Sequence, residues 1–426
     1  MGVSTDSVEE RAILIGVGAE PPREEGTIPM LDELAELVRT AGARIVGRLW
    51  QRRDSPEPGS YLGKGKVDEL KELCEAEEAN LVVADADLTP AQVRSLEEAL
   101  DLRVIDRSEL IIHIFAIHAR TLQSRLQVEL AQLQYLSPRL KRMWTHLSRI
   151  TGAGGIGSRG PGEKQIEVDR RIIQKRIRDL KAELEVIEER QRRQVASRHD
   201  QFKISLVGYT NAGKSTLMNS LTGAQVLAAD RLFATLDTRT RRLAVAPGME
   251  ALLSDTVGFI QKLPPHLVAS FHATLAEVRE ANLLIHVVDA SDPDAESRAG
   301  VVRKVLKDIG AGEIEELVVL NKCDRLPDRS ELAILMQRIE AQITISALTG
   351  EGLLDLKAAI EVRMADRFRR IELAIPVSDG RTLARLSEVG AVLEREYKGD
   401  MCLVRVLVPT SAASEFSSFV RKIEAR

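Results

Sequence analysis

Apolar positions fall into three regimes along the chain. Up to residue 107, short apolar runs alternate with stretches of helical period. "ILIGVG" (13–18), "RIVGRLWQRRD" (44–54), "NLVVADADL" (80–88) and "LRVIDR" (102–107) read as strands. Pro29 to Ala43, "KVDELKELCEAEEA" and "TPAQVRSLEEAL" read as helices, the last with Thr89 as N-cap and Pro90 at its first position. This alternation predicts a small α/β layer.

From about Ala119 the pattern becomes polar and helical, with Leu122, Leu126, Leu130 and Leu133 on one face. Ser137-Pro138 stops this helix or caps a second segment, where Leu140, Met143 and Leu147 keep the spacing. Beyond a glycine-rich stretch, Ile166, Ile173, Ile177, Leu180, Leu184 and Ile187 form an a/d seam. Two long helices joined by a loop predict an antiparallel coiled-coil hairpin. Helices of about 30–35 residues make an arm of roughly 45–50 Å. "EERQRRQVASRHDQ" (188–201) is its polar exit.

The third regime is doubly wound α/β, with strands "ISLVG", "RLAVA", "ALLSDTVG", "NLLIHVVDAS", "ELVVLNKCD" and "QITISA". The tail reads as strand "LAIPV", a helix from Thr382, strand "MCLVRVLV" and a final helix. The fold class is therefore multidomain α/β. It comprises an α/β subdomain (1–118), a helical hairpin (119–200), a central doubly wound sheet (201–368) and a small α+β domain (369–426).

Composition narrows the class further. The 426 residues are 44% hydrophobic and 29% charged, as in a soluble globular protein. No apolar run approaches the roughly 20 residues that span a bilayer. The N-terminus lacks the basic and apolar regions of a signal peptide, so a cytoplasmic protein without a membrane anchor is expected. Cys74, Cys323 and Cys402 form no metal pattern and suit a reducing compartment. His113, His118 and His146 also lack metal spacing. A net charge of −4 makes no global case for nucleic acid, and 3% aromatic content argues against broad base-stacking surfaces. Any polyanion site must be a local basic patch.

The chemistry lies in residues 204–348. Gly208, Tyr209, Thr210, Asn211, Ala212, Gly213, Lys214 and Ser215 form G-x4-GKS between a strand and a helix, the context a P-loop requires. Its backbone N–H groups would wrap a phosphate chain, with the helix N-terminus facing the anionic oxygens. Lys214 would bridge the β- and γ-phosphates, and the Ser215 hydroxyl would take a Mg²⁺ position. Asp255, Thr256, Val257 and Gly258 end a later strand. Asp255 would hold Mg²⁺ through water, and the Gly258 N–H would reach the γ-phosphate. Lys214 and Gly258 are thus the candidate catalytic groups.

Asn321, Lys322, Cys323 and Asp324 end another strand. A carboxylate at Asp324 can accept from both N1–H and the exocyclic amine of guanine, a pair adenine does not offer. Leaving a buried carboxylate unpaired is costly, and sites of that type can discriminate by roughly 10⁴-fold or more. Asn321 would brace the P-loop, and the Lys322 stem would lie along the base. Ser346, Ala347 and Leu348 would supply a backbone donor for guanine O6. Four motifs in this order on strand ends predict a GTP site.

The first switch belongs between the P-loop and Asp255, at Phe233, Ala234, Thr235, Leu236 and Asp237. Thr235 is the candidate second Mg²⁺ hydroxyl; Thr238 and Thr240 are rivals. Phe259 stands where Ras-like enzymes carry a water-orienting Gln, so intrinsic hydrolysis should be slow. The Asn211 amide oxygen could help hold a monovalent cation such as K⁺ near the phosphates.

These G motifs with Asn211 and Phe259, "LFATLD" at 232–237 and "RGPGE" at 159–163 resemble the HflX family of translation-factor-class GTPases. "TLQSRLQVELAQLQYL", "WTHL" and "YLGKGK" (61–66) are similar to its helical and N-terminal regions, so the resemblance covers about residues 10–365. It implies GTP and GDP as ligands. It also implies binding to the large ribosomal subunit and its rRNA, and nucleotide-dependent splitting or rescue of stalled ribosomes under stress. One local departure is Thr238, where many relatives have Pro.

The glycine stretch "ITGAGGIGSRGPGE" (150–163) contains G-x-G-x-x-G, but a basic helical segment precedes it where a dinucleotide turn needs a strand. Two readings remain. One is a flexible hairpin turn. The other is RNA contact through Gly154, Gly155, Gly157, Arg159, Gly160 and Gly162. From Pro138 to Lys164 there are six Lys or Arg residues and one acidic residue, so the tip is basic on an acidic chain. Such a tip can neutralise phosphates while bare backbone reads RNA shape. The rival function is a signalling-type GTPase whose arm binds a protein helix. A monomer is expected off the ribosome.

Overall fold

A computed structural model describes residues 9–19, 29–140, 161–196, 201–223, 232–233, 238–246, 249–261, 276–326, 329–410 and 412–423. The chain divides into two compact units. The first holds Met1–Arg190, Ala229–Asp237 and Gln261–Ala273; the second holds Gln191–Ala228, Thr238–Ile260 and Thr274–Arg426.

In the first unit, β1 (Arg11–Gly18), β2 (Arg44–Arg52), β3 (Leu81–Ala84) and β4 (Arg103–Asp106) form a parallel sheet of order β2-β1-β3-β4. The central strands are buried on both faces, which explains their unbroken apolar runs. Helices α1 (Pro29–Ala41), α2 (Lys64–Ala76) and α3 (Pro90–Leu100) connect them. α3 starts where its sequence indicates. The Thr89 hydroxyl accepts from the Gln92 N–H at 3.2 Å, and the Gln92 side chain accepts from the Thr89 N–H at 2.9 Å.

Helix α4 (Arg107–His118) has no counterpart in the periodicity. Leu110, Ile111, Ile112, Ile114 and Phe115 are buried over more than half of its circumference, and the exposed face mixes Glu109 and His113 with Ala116 and the 54% exposed Ile117, so no clear polar stripe marks it. Asp106 caps it, accepting from the Glu109 N–H at 2.9 Å.

α5 (Leu122–Leu136) and α6 (Pro161–Ala196) pack through Leu126, Leu130, Leu180 and Leu184, flanked by Leu133, Ile177 and Ile187. Arg176 adds a two-pronged ion pair to Glu129, at 2.7 and 2.9 Å. Leu122, expected on this face, is 69% exposed, so the seam starts one turn later. Met143 and Leu147 lie outside the described residues.

In the second unit a six-stranded sheet has the order β10-β9-β8-β5-β7-β6. Its strands are β5 (Phe202–Gly208), β6 (Arg239–Ala246), β7 (Met249–Asp255), β8 (Leu283–Asp289), β9 (Glu316–Asn321) and β10 (Ile343–Thr344). All pairs are parallel except β6 with β7. Helices α7 (Lys214–Thr222), α8 (Ala295–Asp308), α9 (Arg329–Ile339) and α10 (Leu353–Ala365) complete the doubly wound pattern.

The C-terminal part is an antiparallel sheet of order β12-β13-β11-β14, with helix α11 (Gly380–Val389). Its strands are β11 (Phe368–Pro376), β12 (Ala391–Lys398), β13 (Met401–Pro409) and β14 (Val420–Ile423). Two expectations are corrected here. α11 gives way to β12 at Gly390, where a Cβ would stand 2.6 Å from Val408 Cγ1 and 2.8 Å from Val406 Cγ2. The final helix is a 3-10 stretch (Ala413–Phe419) followed by β14. Pairing with β11 and burial of Phe416 override the local helical pattern.

Candidate nucleotide site

β5 ends at Gly208, and the chain turns through 209–213 into α7. Two glycines in this turn are sterically required. Gly208 has φ 151°, and its Cβ would lie 2.3 Å from the Val287 carbonyl oxygen. Gly213 has φ 94°, and its Cβ would lie 2.2 Å from Asn321 Nδ2. Asn211 is left-handed at φ 62°, a conformation Asn tolerates better than most residues. The N-cap of α7 is Gly213, which has no side chain to cap the helix, so its first N–H groups suit an anion.

Lys214 is buried, and its Nζ donates to the Gly208 and Tyr209 carbonyls at 3.1 and 2.8 Å. Burial pushes its ammonium down to about 8, opposed by the charge of Asp255. An anion entering here would meet a desolvated cation. The Thr210 hydroxyl is buried without a hydrogen-bond partner among the described residues. The Ser215 hydroxyl donates to Asp255 Oδ2 at 2.6 Å, which places two oxygen donors suited to a hard divalent cation side by side.

The loop after β7 is tied to this turn. The Thr210 N–H donates to the Phe259 carbonyl at 2.7 Å, and the Phe259 N–H to the Gly208 carbonyl at 3.1 Å. Gly258 approaches closely: a Cβ would sit 2.8 Å from Thr210 Cα and 3.0 Å from Lys214 Nζ. Phe259 and Val257 are buried, and the Thr256 hydroxyl donates inward to the Leu206 carbonyl at 2.7 Å.

Asn321 knits the base end. Its Nδ2 donates to the Ala212 carbonyl at 2.8 Å, and its Oδ1 accepts from the Ala347 N–H at 2.9 Å. The Ser220 hydroxyl on α7 donates to the Ala347 carbonyl at 2.6 Å. Leu348, next to the engaged Ala347 N–H, is 79% exposed. Ser346 is fully buried and accepts from the Thr349 N–H at 3.1 Å. Lys322 is left-handed at φ 62°, and Cys323 begins a short 3-10 turn. Asp324 is exposed. Its expected discrimination would arise once a base covers it.

Of the first switch, Leu232 and Phe233 are described, and both are buried. Phe233 holds φ 55°, a strained value for an aromatic residue, and its ring meets Phe115 edge-on with centroids 4.7 Å apart. Ala234, Thr235, Leu236 and Asp237 lie outside the described residues. The rival Thr240 sits on β6, its hydroxyl bound to Ser254 at 3.0 Å and to Glu277 at 3.2 Å.

A cluster missed by sequence reasoning surrounds Arg107, which is 2% exposed. Its guanidinium donates to Asp85 Oδ1 at 2.6 Å, Glu33 Oε2 at 2.5 Å and the Gln261 carbonyl at 3.1 Å. Burial opposes its charge, but Glu33 and Asp85 outweigh that and hold it above its ordinary value. The available signal was an Asp-Arg pair entering an apolar stretch, since buried charges require partners. "YLGKGK" is a helix entry: Gly63 is the N-cap of α2, and Lys66 pairs with Glu69 at 2.7 Å. Gly154, Gly155, Gly157, Arg159 and Gly160 lie outside the described residues, and Gly162 falls in the first turn of α6.

Three family models match in succession: "GTP-binding GTPase N-terminal" over 29–116, "GTP-binding GTPase Middle Region" over 118–198, and "50S ribosome-binding GTPase" over 203–322. The chain is 42% identical over 413 residues to a protein named GTPase HflX from Lacrimispora saccharolytica, covering 96% of each chain. It is 45% identical over 370 residues to GTPase HflX of Escherichia coli, covering 86% of each. A solved GTP-binding protein from Sulfolobus solfataricus in complex with GDP is 25% identical, with a TM-score of 0.44, covering 84% of this chain and 99% of that one.

Proposed function

The chain belongs to the HflX family of GTPases, and from that premise we propose that it binds and hydrolyses GTP on the large ribosomal subunit, coupling the cycle to splitting or rescue of stalled ribosomes. The observation that carries the coupling is the placement of Phe233 and Gln261. Both flank segments expected to sense the γ-phosphate, yet they pack within the unit that contains the helical arm. Gln261 is three residues from Gly258, so the chain itself links Arg107 to the glycine beside Lys214.

In this reading the P-loop N–H groups wrap the phosphates and Lys214 bridges the β- and γ-oxygens. Ser215, Asp255 through water, and Thr235 would hold Mg²⁺, which supplies charge neutralisation at the transferred phosphoryl group. Gly258 offers its N–H to the γ-phosphate, where a side chain would collide with Thr210. Phe259 has no atom to orient water, so hydrolysis is slow until a partner orders the switches. The Asn211 amide oxygen would help hold K⁺ near the phosphates. Asp324 reads the base, with the backbone of Ser346, Ala347 and Leu348 supplying the O6 donor. Gly154, Gly155, Gly157, Arg159, Gly160 and Gly162 form the rRNA-contacting tip. The protein is a cytoplasmic monomer off the ribosome, and no described helix is long and apolar enough to cross a membrane.

Co-sedimentation with purified large subunits tests this. Binding should require a non-hydrolysable GTP analogue and fall steeply with salt, as neutralised phosphates demand. Binding that is absent, or insensitive to salt, would favour a protein-binding arm.

A further inference from the structure

The loop leaving β8 supports both walls of the nucleotide site. Asp289, the last residue of β8, stands in register with Asn321. Its Oδ2 lies 2.6 Å from Lys322 Nζ, and both side chains are less than one-fifth exposed. Its Oδ1 accepts from the N–H and hydroxyl of Ser291, at 3.0 and 2.6 Å. One carboxylate therefore closes its own turn and grips the lysine of the base motif. Asp292 pairs with Arg298 on α8. The Arg298 guanidinium lies 4.9 Å from the centre of the Tyr209 ring, in the P-loop.

We propose that Asp289 is a positioning residue for guanine-nucleotide binding, acting through Lys322, and that Asp292 and Arg298 support the P-loop through Tyr209. This rests on reading the site as one for guanine nucleotides. Lys322 has a long side chain, whose ordering on binding is costly when it starts free. Fixing its ammonium to Asp289 pre-orders the stem that would lie along the base. The pair also neutralises the lysine locally, so Lys322 acts by shape more than by charge.

The test is the dissociation rate of fluorescently labelled GDP from the full-length protein. Asp289→Asn keeps an acceptor for the Ser291 turn but removes the ion pair. It should speed release roughly tenfold. Lys322→Ala should do so as well, and the double variant should release no faster than Lys322→Ala alone, as coupled residues require. Arg298→Ala, at a separate point, should speed release several-fold. The Asp289 role is overturned if Asp289→Asn releases at the wild-type rate, and the P-loop support is overturned if Arg298→Ala does. It is also overturned if the Asp289 and Lys322 effects multiply. Failure of the wild type to bind labelled GDP would instead remove the guanine-site reading beneath it.

Discussion

Arg107 offers the sharpest test of the proposed coupling through Gln261. Its guanidinium is 2% exposed and makes three polar contacts, two of them to carboxylates that are 14% and 5% exposed. Arg107→Ala leaves Glu33 and Asp85 buried without their cation, a loss of about 3–5 kcal/mol. In a unit of this size that lowers the melting midpoint by roughly 6–20 °C. Destabilisation alone would not show coupling. Arg107→Leu combined with Glu33→Gln and Asp85→Asn removes the charges together, so it should recover most of the stability. It cannot donate to the Gln261 carbonyl. Melting should therefore be near wild type, while stimulation of GTP hydrolysis by large subunits falls at least about tenfold, equivalent to about 1.4 kcal/mol. A triple variant that is folded and stimulated like the wild type would refute the Gln261 link.

Other outcomes follow from the same geometry. Asp324→Asn should reduce the preference for GTP over ATP by about 100-fold or more in competition binding; equal wild-type binding of the two would make the base assignment wrong. Hydrolysis should be faster in potassium than in sodium buffers, and Asn211→Ala should abolish the difference; equal wild-type rates remove the cation role. Burial pushes the Asp106 carboxyl up to about 6, opposed by the Glu109 N–H and the Arg139 charge. The folded state then favours the protonated form, a stabilisation present at low pH and lost as pH rises through about 6. Wild type should gain about 1 kcal/mol more than Asp106→Asn between pH 7 and pH 5 in thermal melts; equal gains would contradict this.

The strands carrying the motifs were legible because a parallel sheet buried on both faces demands continuous apolar runs, and the G-x4-GKS glycines announce a turn no other residue fits. The α5–α6 seam was legible from its heptad spacing. Features set by tertiary contact were not. α4 has apolar residues on its exposed face too, so period analysis has little to detect. β12 and β14 exist because β13 and β11 offer them partners. Sequence distance hid Arg107, whose contacts lie 74, 22 and 154 residues away. It also hid Asp289, which reads as an ordinary strand end until Lys322 is brought beside it. At the site, local chemistry points to groups suited to meet a nucleotide, but not to the groups that hold them in place.

The most direct test of the central claim is GTP turnover with and without purified large ribosomal subunits, comparing the wild type with a deletion of Gly152–Gly162. The account predicts slow turnover alone and stimulation of at least about tenfold by subunits in the wild type, of the kind partners supply to GTPases that lack a water-orienting residue. The deletion should keep GTP binding and lose the stimulation. Equal turnover with and without subunits in the wild type, or undiminished stimulation in the deletion, would contradict it.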